Sequence, residues 1–319
     1  MKCLIVGGSG QFGISLSKIL LKKKYKIEIT TRSIRRTKKK FKNLGLNKIN
    51  LKRLDISSKK AILKLLKNNY DIIFYFAGQS SPSKSFKKVK QTIKSNYVGC
   101  KNFLEILNFL NSKAKFFNTS SSEIFSETKK KIDLKSKKKP ISPYGRSKLL
   151  SYNLTNKFRN SYRLNTYNLI LFNTESYYRD KYYLISKICL AAINANRSKK
   201  STRFGKLDVI REWNWCDEQC KLILKCLNKE PGNFILSNGK YYSGYQMLKY
   251  AFNYFSLDYK KYIIIDKKHF RKKDFNLKKS NFKKNIYKID SNWKSKIFGK
   301  KLIIKLIKFY QTKNLVKKY

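Results

Sequence analysis

Short apolar runs alternate with amphipathic segments over the first 172 residues of the chain. Apolar side chains at successive or alternate positions predict strands at 2–7, 26–31, 48–56, 71–76, 114–120 and 166–172. Apolar side chains at helical spacing predict helices at 11–23, 58–67, 88–110 and 144–160. This alternation is typical of βαβ units, so it predicts an α/β fold with a doubly wound parallel sheet of the Rossmann type.

The pattern loosens after Phe172, where helical segments are joined by irregular stretches rich in Tyr and Lys. Helices are predicted at about 182–195, 217–228, 243–255 and 300–311. We therefore predict two domains: a dinucleotide-binding domain at 1–172, and a smaller, mostly helical substrate lobe at 173–319. Segments around 205–228 are expected to return to the first domain. Ligands are expected at the carboxyl ends of the strands, as in other open α/β sheets.

Basic residues dominate the charge of the chain, with 75 Lys and Arg against 18 Asp and Glu and a net charge of +57. Hydrophobic residues make up 41%, which excludes a disordered polycation. No uncharged apolar stretch is long enough to cross a membrane. The cations are spread along the whole chain, so we predict no dedicated nucleic-acid partner and attribute the bias to drift in an A/T-rich genome. A functional polyanion-binding surface stays open as the alternative.

Cysteine and histidine offer no metal site in this sequence. The six cysteines have no Cys-x-x-Cys spacing, and His269 is the single histidine. A structural zinc site needs four closely spaced Cys or His ligands. We therefore expect reduced thiols, mostly in the core, in a cytoplasmic protein, and we expect His269 at or near the surface.

A glycine-rich stretch joins the first predicted strand to the first helix: Gly7-Gly8-Ser9-Gly10-Gln11-Phe12-Gly13. The early glycines suit a tight turn, Gly10 admits a pyrophosphate, and Gly13 lets the helix pack closely on the strand. The N–H groups at the start of the helix favour an anion. This position predicts dinucleotide binding rather than a bare turn.

The end of the second strand favours NADP over NAD. An NAD site usually has an acidic residue there for the ribose 2′-hydroxyl. Ile29-Thr30-Thr31-Arg32-Ser33 has none at its tip, and Glu28 lies too early in the strand. A guanidinium can bind a 2′-phosphate through two hydrogen bonds, although Arg32 can also be read as one more surface cation.

A Tyr-x-x-x-Lys pair at Tyr144 and Lys148 is the candidate catalytic pair. The same spacing recurs elsewhere, for example at Tyr177, Tyr183 and Tyr245, so position decides. Tyr144 begins a predicted helix and follows a serine-rich strand end that includes Ser121. Residues four apart lie on one helix face, where a lysine and a cationic nicotinamide could stabilise a tyrosinate, while Ser121 hydrogen-bonds the reacting hydroxyl.

These residues together resemble an extended short-chain dehydrogenase/reductase, and further stretches are similar to the GDP-mannose 4,6-dehydratases. The similar stretches, in chain order, are Ala77-Gly78-Gln79-Ser80, Ser120-Ser121-Ser122-Glu123, Ile170-Leu171-Phe172-Asn173-Thr174-Glu175-Ser176, Phe204-Gly205-Lys206-Leu207-Asp208, Arg211-Glu212-Trp213 and Phe270-Arg271. They span nearly the whole chain. As a set they are specific, although no single stretch is.

The resemblance implies a reaction in which hydride leaves C4 of a nucleotide sugar and returns at C6. Tyr144 is the implied base at O4. Glu123 is the implied base that removes the C5 proton as water leaves from C6, which gives a 4-keto-6-deoxy sugar with GDP-mannose as the favoured substrate. A dehydratase needs this second acid/base group, whereas a plain reductase does not.

The resemblance also assigns binding roles residue by residue. The glycine stretch is expected at the pyrophosphate, Arg32 and Ser33 at the adenosine phosphate, Asp55 and Ile56 at the adenine, and Ala77, Gly78, Gln79 and Ser80 near the nicotinamide. Thr174, Arg179, Tyr144 and Lys148 complete the expected cofactor contacts. The expected contacts of the anionic sugar nucleotide are Asn173, Lys187, Arg211 and Arg271. Helices 88–110 and 144–160 are expected to form a homodimer or homotetramer.

The sequence departs from the family pattern at four places, and these put the exact substrate in question. Thr174 replaces a histidine, Tyr177-Tyr178-Arg179-Asp180 replaces Pro-Arg-Arg-Gly, Ser121 replaces a threonine, and Lys272 replaces a proline. A 4-reductase or 4-epimerase of the same fold, in which Glu123 is dispensable, is the alternative enzyme. A degenerate NADP-binding scaffold and a polyanion binder are the alternatives without catalysis.

Overall fold

The computed structural model describes residues 1–128, 130–271, 274–275 and 278–312. Its main sheet has seven parallel strands in the order β10-β6-β5-β4-β1-β2-β3. The strands are β1 (Lys2–Val6), β2 (Lys26–Thr31), β3 (Asn50–Arg53), β4 (Ile72–Tyr75), β5 (Lys115–Ser121), β6 (Thr166–Leu171) and β10 (Asn233–Leu236). The sheet grows from β1 in both directions, which confirms the predicted doubly wound fold and places its switch point between β1 and β4.

Helices cover both faces of this sheet, and further helices belong to a second lobe. The helices are α1 (Gln11–Lys22), α2 (Ile34–Lys42), α3 (Lys59–Leu66), α4 (Pro82–Lys87), α5 (Val89–Ile93), α6 (Gly99–Phe109), α7 (Pro143–Tyr162), α8 (Leu184–Ser198), α9 (Cys216–Lys225), α10 (Gly244–Asn253), α11 (Phe282–Tyr287) and α12 (Gly299–Thr312). In β1, Cys3 and Ile5 pack into the core under α1 and α9, while Leu4 and Val6 pack under α3 and α6. Because both faces are buried, the strand is apolar at successive positions.

A second lobe lies beyond β6. Helices α8, α10 and α12 pack around a separate core. Its strands are β7 (Asn173–Glu175), β8 (Thr202–Phe204), β9 (Ile210–Trp215), β11 (Tyr241–Ser243) and β12 (Ile263–Ile265). They form a three-stranded sheet, β11-β9-β7, and a two-stranded sheet, β12-β8.

The main sheet includes residues from both sides of the predicted boundary at 172. Strand β10 pairs with β6, and α9 packs against α1. Strand β9, which precedes α9 directly, belongs instead to the three-stranded sheet of the lobe. The division into 1–172 and 173–319 remains a prediction.

The predicted helix at 88–110 contains an irregular turn. Helices α5 and α6 are joined by a π-helical turn at Lys94–Val98, which brings Asn96 into the interior. Such turns widen the helix by one residue and often occur at functional sites.

Within the described ranges, no helix is long and apolar enough to cross a bilayer, and no group of three His, Cys, Asp or Glu side chains could hold a metal ion. All six cysteines are buried, as predicted. His269 is exposed, also as predicted, with its Nε2 3.9 Å from Asp266.

Candidate active site

The glycine stretch forms a tight turn between β1 and α1. A Cβ on Gly13 would lie 2.3 Å from the Gly8 backbone, so only glycine allows the helix to approach the turn this closely. A Cβ on Gly10 would meet nothing nearer than the Gly7 carbonyl oxygen at 3.7 Å, so the backbone there faces open space. Gly10 is the N-cap of α1 and provides no capping side chain. The turn therefore fits a pyrophosphate that accepts hydrogen bonds from the start of the helix.

Gln11 connects this turn to the second lobe. Its Nε2 donates to the Thr174 carbonyl at 3.1 Å, and its Oε1 accepts from Ser176 Oγ at 2.9 Å. These two bonds place Thr174 next to the glycine stretch, where the resemblance expects it.

Arg32 lies exposed just beyond the end of β2, and Ser33 caps α2 by accepting from Arg36 N. A cation that the sequence did not single out, Lys40 of α2, donates to the Ser9 carbonyl at 2.9 Å. Burial lowers the pKa of Lys40, and Asp180 opposes this effect. Two cations, Arg32 and Lys40, thus lie near the proposed adenosine phosphate.

Asp55 and Ile56 follow β3 at the same edge of the sheet. Asp55 Oδ1 accepts from the hydroxyl and the backbone N–H of Ser57, and these bonds lower the Asp55 pKa. Asn102 Nδ2 donates to the Ile56 carbonyl at 3.1 Å. The backbone of this segment is therefore fixed by α6.

Asn96 supports the loop at Ala77, Gly78, Gln79 and Ser80. Its Nδ2 donates to the Gln79 carbonyl at 3.1 Å and to Ser147 Oγ at 3.0 Å, which links the loop to α7. The Ser80 hydroxyl lies 2.8 Å from the Tyr183 hydroxyl. The loop expected near the nicotinamide thus contacts both α7 and the second lobe.

Tyr144 and Ser121 meet, as the sequence predicts. Ser121 ends β5, and Tyr144 lies in the first turn of α7, which begins with Pro143 and is capped by Ser142. Burial raises the pKa of Tyr144 to about 12, and a hydrogen bond with Ser121 opposes this rise. Glu123 and Tyr183 also raise this pKa, whereas Arg179 lowers it.

Lys148 is buried one helical turn after Tyr144. Its Nζ donates to the Thr119 carbonyl at 2.8 Å. Burial lowers the pKa of Lys148 to about 8. The groups that shift the Tyr144 pKa lie at the end of β5, in the turn after it and in the second lobe, and Lys148 is not among them. A direct effect of Lys148 on the phenol therefore stays a prediction.

Glu123 is a buried carboxylate in the short helical turn Ser122–Ile124, directly after β5. Burial alone would raise its pKa, but the charges of Lys278, Arg271 and Arg211 outweigh burial and lower the pKa. Glu123 is therefore ionised at neutral pH, as a base must be.

Arg211 and Arg271 share one carboxylate. Arg211 Nη2 lies 2.8 Å and Arg271 Nη1 3.1 Å from Asp274 Oδ1. Arg211 is buried and also donates to the Phe275 carbonyl, while Arg271 is about one-third exposed. Both act on Glu123, so the structure brings these predicted substrate contacts to the candidate catalytic base.

The other two predicted substrate contacts have partners elsewhere in the lobe. Lys187 Nζ donates to the Arg203 carbonyl at 2.5 Å and lies over the Phe204 ring. The Asn173 carbonyl accepts from Asn214 Nδ2 at 3.0 Å, which joins β7 to β9. Their contact with a substrate remains a prediction.

Arg179 contacts Tyr183 and Glu175 in the second lobe, and its charge acts on Tyr144. Its Cζ is 3.4 Å from the centroid of the Tyr183 ring, and its Nε is 3.9 Å from Glu175 Oε1. Burial raises the pKa of Glu175 to about 7, and Arg179 opposes this rise. Arg179 is thus a cation beside Tyr144, in addition to its predicted role with the cofactor.

Sequence reasoning missed a group of polar residues at this site: Lys40, Asn96, Tyr183, Asp274 and Lys278. The lysines have no signal of their own among 75 basic residues. Asn96 depends on a π-helical turn that apolar spacing does not reveal. Asp274 had a usable signal, because acidic residues are scarce and it follows Arg271 closely.

Gly145 tests how tightly α7 is fixed against the Glu123 turn. A Cβ at Gly145 would lie 2.5 Å from the Glu123 carbonyl oxygen. Helix propensity alone predicts that Gly145→Ala stabilises the protein by about 1 kcal/mol. We expect the opposite, a loss of ~1–3 kcal/mol from overpacking, measured by urea unfolding. The control is Gly232→Ala, whose Cβ would meet nothing nearer than 3.5 Å. A more stable Gly145→Ala protein contradicts the close contact.

Comparison with known proteins finds the same fold among solved structures and a family that matches most of the chain. A family model described as GDP-mannose 4,6 dehydratase matches residues 4–305. The GDP-mannose 4,6-dehydratase of Vibrio cholerae serotype O1 is 30% identical over 254 residues, covering 75% of this chain and 68% of the relative. GDP-mannose 4,6 dehydratase 1 of Arabidopsis thaliana is 26% identical over 317 residues, covering 94% and 87%.

Among solved structures, dTDP-glucose 4,6-dehydratase from Bacillus anthracis in complex with NAD aligns with a TM-score of 0.83 at 17% identity, covering 99% of this chain and 98% of that one. At this identity the likeness shows the fold alone, and that fold agrees with the doubly wound sheet described above. The family model and the relatives support a nucleotide-sugar dehydratase. The chain belongs to the GDP-mannose 4,6-dehydratase family.

Proposed function

We propose that this protein converts GDP-mannose to GDP-4-keto-6-deoxymannose with NADP as its cofactor. The observation that carries the proposal is Glu123, a buried carboxylate that neighbouring cations keep ionised. It lies in the turn that follows Ser121, and its charge also raises the pKa of Tyr144. Two acid/base groups in one site suit an oxidation coupled to an elimination. A 4-reductase or 4-epimerase of the same fold needs only the phenol.

The first step concerns the 4-hydroxyl of the sugar. A nicotinamide dinucleotide bound by the glycine stretch and by the loop from Ala77 to Ser80 would supply the hydride acceptor for C4 and, later, the hydride donor for C6. Tyr144 takes the proton of the 4-hydroxyl, while Ser121 hydrogen-bonds the same oxygen. Because the Tyr144 pKa is raised to about 12 by burial, the phenol needs added positive charge to act as a base near neutral pH. Lys148 and Arg179 are the cations of this chain placed to supply it.

The second step is the elimination of water. The new 4-keto group acidifies the C5 proton, which passes to Glu123 as the C6–O bond breaks. The departing hydroxide takes the proton that Tyr144 removed from the 4-hydroxyl and leaves as water. Glu123 returns its proton to C5 when the hydride is delivered to C6. The low pKa of Glu123 keeps it able to accept that proton. We assign Arg211 and Arg271 to the diphosphate of the substrate, and their charge also keeps Glu123 ionised.

A direct assay tests the reaction. The protein is incubated with GDP-mannose and a catalytic amount of NADP⁺, and we expect a 4-keto-6-deoxy product with no net formation of NADPH. Parallel incubations with UDP- and dTDP-hexoses test the nucleotide. A product from one of these alone corrects the substrate, whereas no turnover with any of the three nucleotides contradicts the proposed function.

Arg32 tests the choice of cofactor. Its exposed guanidinium beyond β2 suits a 2′-phosphate, and an anion there also benefits from Lys40. We expect Arg32→Ala to weaken NADP by about tenfold or more, since a hydrogen bond to a charged group contributes ~1.5–3 kcal/mol, while NAD changes little. Isothermal titration with both dinucleotides measures this difference.

The control for Arg32 is Arg197→Ala. Arg197 is exposed near the end of α8, so its loss lowers the net charge equally without touching β2. Equal losses of NADP and NAD affinity in Arg32→Ala would count against the 2′-phosphate assignment.

We propose a homodimer or homotetramer built on the helices α5, α6 and α7. Large apolar side chains are exposed on them: Val89, Phe109, Leu150 and Tyr162. Phe109 is 72% exposed, and such side chains favour burial at an interface. Light scattering of the wild-type protein and of Phe109→Ser tests this, with a monomer expected from the variant.

A further inference from the structure

Lys278 is a buried lysine that lies far from Glu123 in the sequence but contacts the turn that contains Glu123. Its side chain is 1% exposed. Its Nζ donates to the Ser122 carbonyl at 2.7 Å and to the Phe125 carbonyl at 3.2 Å. These two carbonyls stand on either side of Glu123 in sequence, so one ammonium holds both ends of the turn that carries this carboxylate.

The backbone around Lys278 is itself fixed, so its side chain starts from a set position. Lys278 N donates to the Ile210 carbonyl at 3.2 Å, and Ser280 N donates to the buried carboxylate of Glu212 at 2.6 Å. The Lys279 carbonyl accepts from Ile132 N at 2.8 Å. These bonds join residues 278–280 to β9 and to the loop that follows the Ser122–Phe125 turn.

Charged groups surround Lys278 from several elements. Glu123, Asp274 and Glu127 favour its charge, whereas Arg211 disfavours it. Burial lowers the pKa of Lys278 to about 8, so the ammonium is mostly protonated at neutral pH. On Glu123, Lys278 acts in the same direction as Arg271 and Arg211. The phenol of Tyr144 also faces this carboxylate.

Burying an ammonium is costly unless it is paired and hydrogen-bonded. Arg211 and Arg271 have Asp274 as their shared ion-pair partner. Lys278 differs from them, because its ammonium donates to two backbone carbonyls of the turn that contains Glu123. Its position is therefore linked to the geometry of that turn rather than to the ion pairs of Asp274.

We propose that Lys278 is a positioning residue that fixes the Ser122–Phe125 turn and keeps the Glu123 carboxylate ionised for proton removal. This inference rests on the proposed function of Glu123 as the base at C5. It assigns to Lys278 no contact with the substrate, so its effect should appear in the pH dependence of the reaction.

The experiment compares wild type with Lys278→Met, which keeps an unbranched chain of similar length and removes the charge. The carboxyl resonance of Glu123 is followed by NMR in protein labelled with ¹³C at the glutamate carboxyls, and is assigned by its loss in Glu123→Gln. We expect it to titrate at higher pH in Lys278→Met. We also expect kcat to fall about tenfold more between about pH 7 and about pH 5 in the variant than in wild type, since removing a nearby opposite charge favours the protonated carboxyl.

Two further variants separate charge from folding. Lys278→Gln keeps a donor for the carbonyls, so it is the test if Lys278→Met does not fold, and the same titration shift is expected. Lys278→Arg keeps the charge and should restore much of the wild-type profile. Lys279→Met is the matched control, because it removes the neighbouring charge, whose Nζ lies over the Tyr241 ring.

The outcomes distinguish the two proposals. An unchanged Glu123 titration in Lys278→Met and Lys278→Gln overturns the role of Lys278, whether or not the protein turns over GDP-mannose. A shift of the same size in Lys279→Met also overturns it, because any lost charge would then suffice. Absence of turnover in wild type contradicts the proposed function, and the NMR titration still reports on the pair.

Discussion

Tyr144→Phe should lower kcat by between about a hundredfold and ten-thousandfold, the range expected for loss of a general base. The substitution removes one oxygen and leaves the ring in its buried place, so the fold and the binding of NADP should persist. Ser121, whose hydroxyl bonds this phenol, loses only that partner. Product formation from GDP-mannose measures the loss, and a dinucleotide titration shows that binding is kept.

Tyr245→Phe is the matched control for this prediction. Tyr245 has the same spacing to a lysine, Lys249, but is 38% exposed on α10 in the second lobe. Its kcat should equal that of wild type. If both variants lose activity alike, or if Tyr144→Phe stays active, Tyr144 is not the base.

Glu123→Gln should stop formation of the 4-keto-6-deoxy product while leaving NADP binding intact. The amide has the same shape as the carboxylate but cannot accept the C5 proton. We expect a loss of at least about a hundredfold in kcat and no exchange of solvent deuterium into C5, followed by NMR of the sugar. Glu105→Gln, which removes an acid that pairs with Lys59 and Lys101 on α3 and α6, should be fully active.

Glu123→Gln should also change how the stability of the protein depends on pH. The pKa of Glu123 in the folded protein is lowered, so its charge stabilises the fold above its unfolded pKa, and this stabilisation is lost as pH falls through the folded pKa. Glu123→Gln should therefore be less stable than wild type near neutral pH, and the difference should shrink in acid. Urea unfolding at several pH values measures it, and a constant difference across pH contradicts the lowered pKa.

Much of the fold could be predicted because buried parallel strands are apolar at successive positions, as in β1 and β4. Helix α2 was missed, since basic residues fill it and only Thr37 and Phe41 are buried. Strand β10 was missed because its place beside β6 depends on a long-range pairing that no local pattern encodes.

In the candidate site, too, some contacts could be predicted from the sequence and others could not. Ser121 and Tyr144 could be predicted to meet, because each lies at the end of a predicted element on one edge of the sheet. Lys278 could not, since its partners are 156 and 153 residues away in the sequence and the residue that follows it, Lys279, is also a lysine. Contacts across such distances are decided by packing of the second lobe, which the weaker periodicity after Phe172 leaves open.

The bonds from Lys278 to the Ser122–Phe125 turn also bear on how the protein folds during translation. Domains generally fold as units from the N-terminal end as the chain is made, so the strands β1 to β6 are synthesised before the lysine that holds the Ser122 and Phe125 carbonyls. Until that segment leaves the ribosome and docks, β5 and α7 can be in place while the Glu123 turn has no ammonium to fix it. In a nascent chain we therefore expect the Glu123 turn to be fixed last, after the glycine stretch between β1 and α1 has formed.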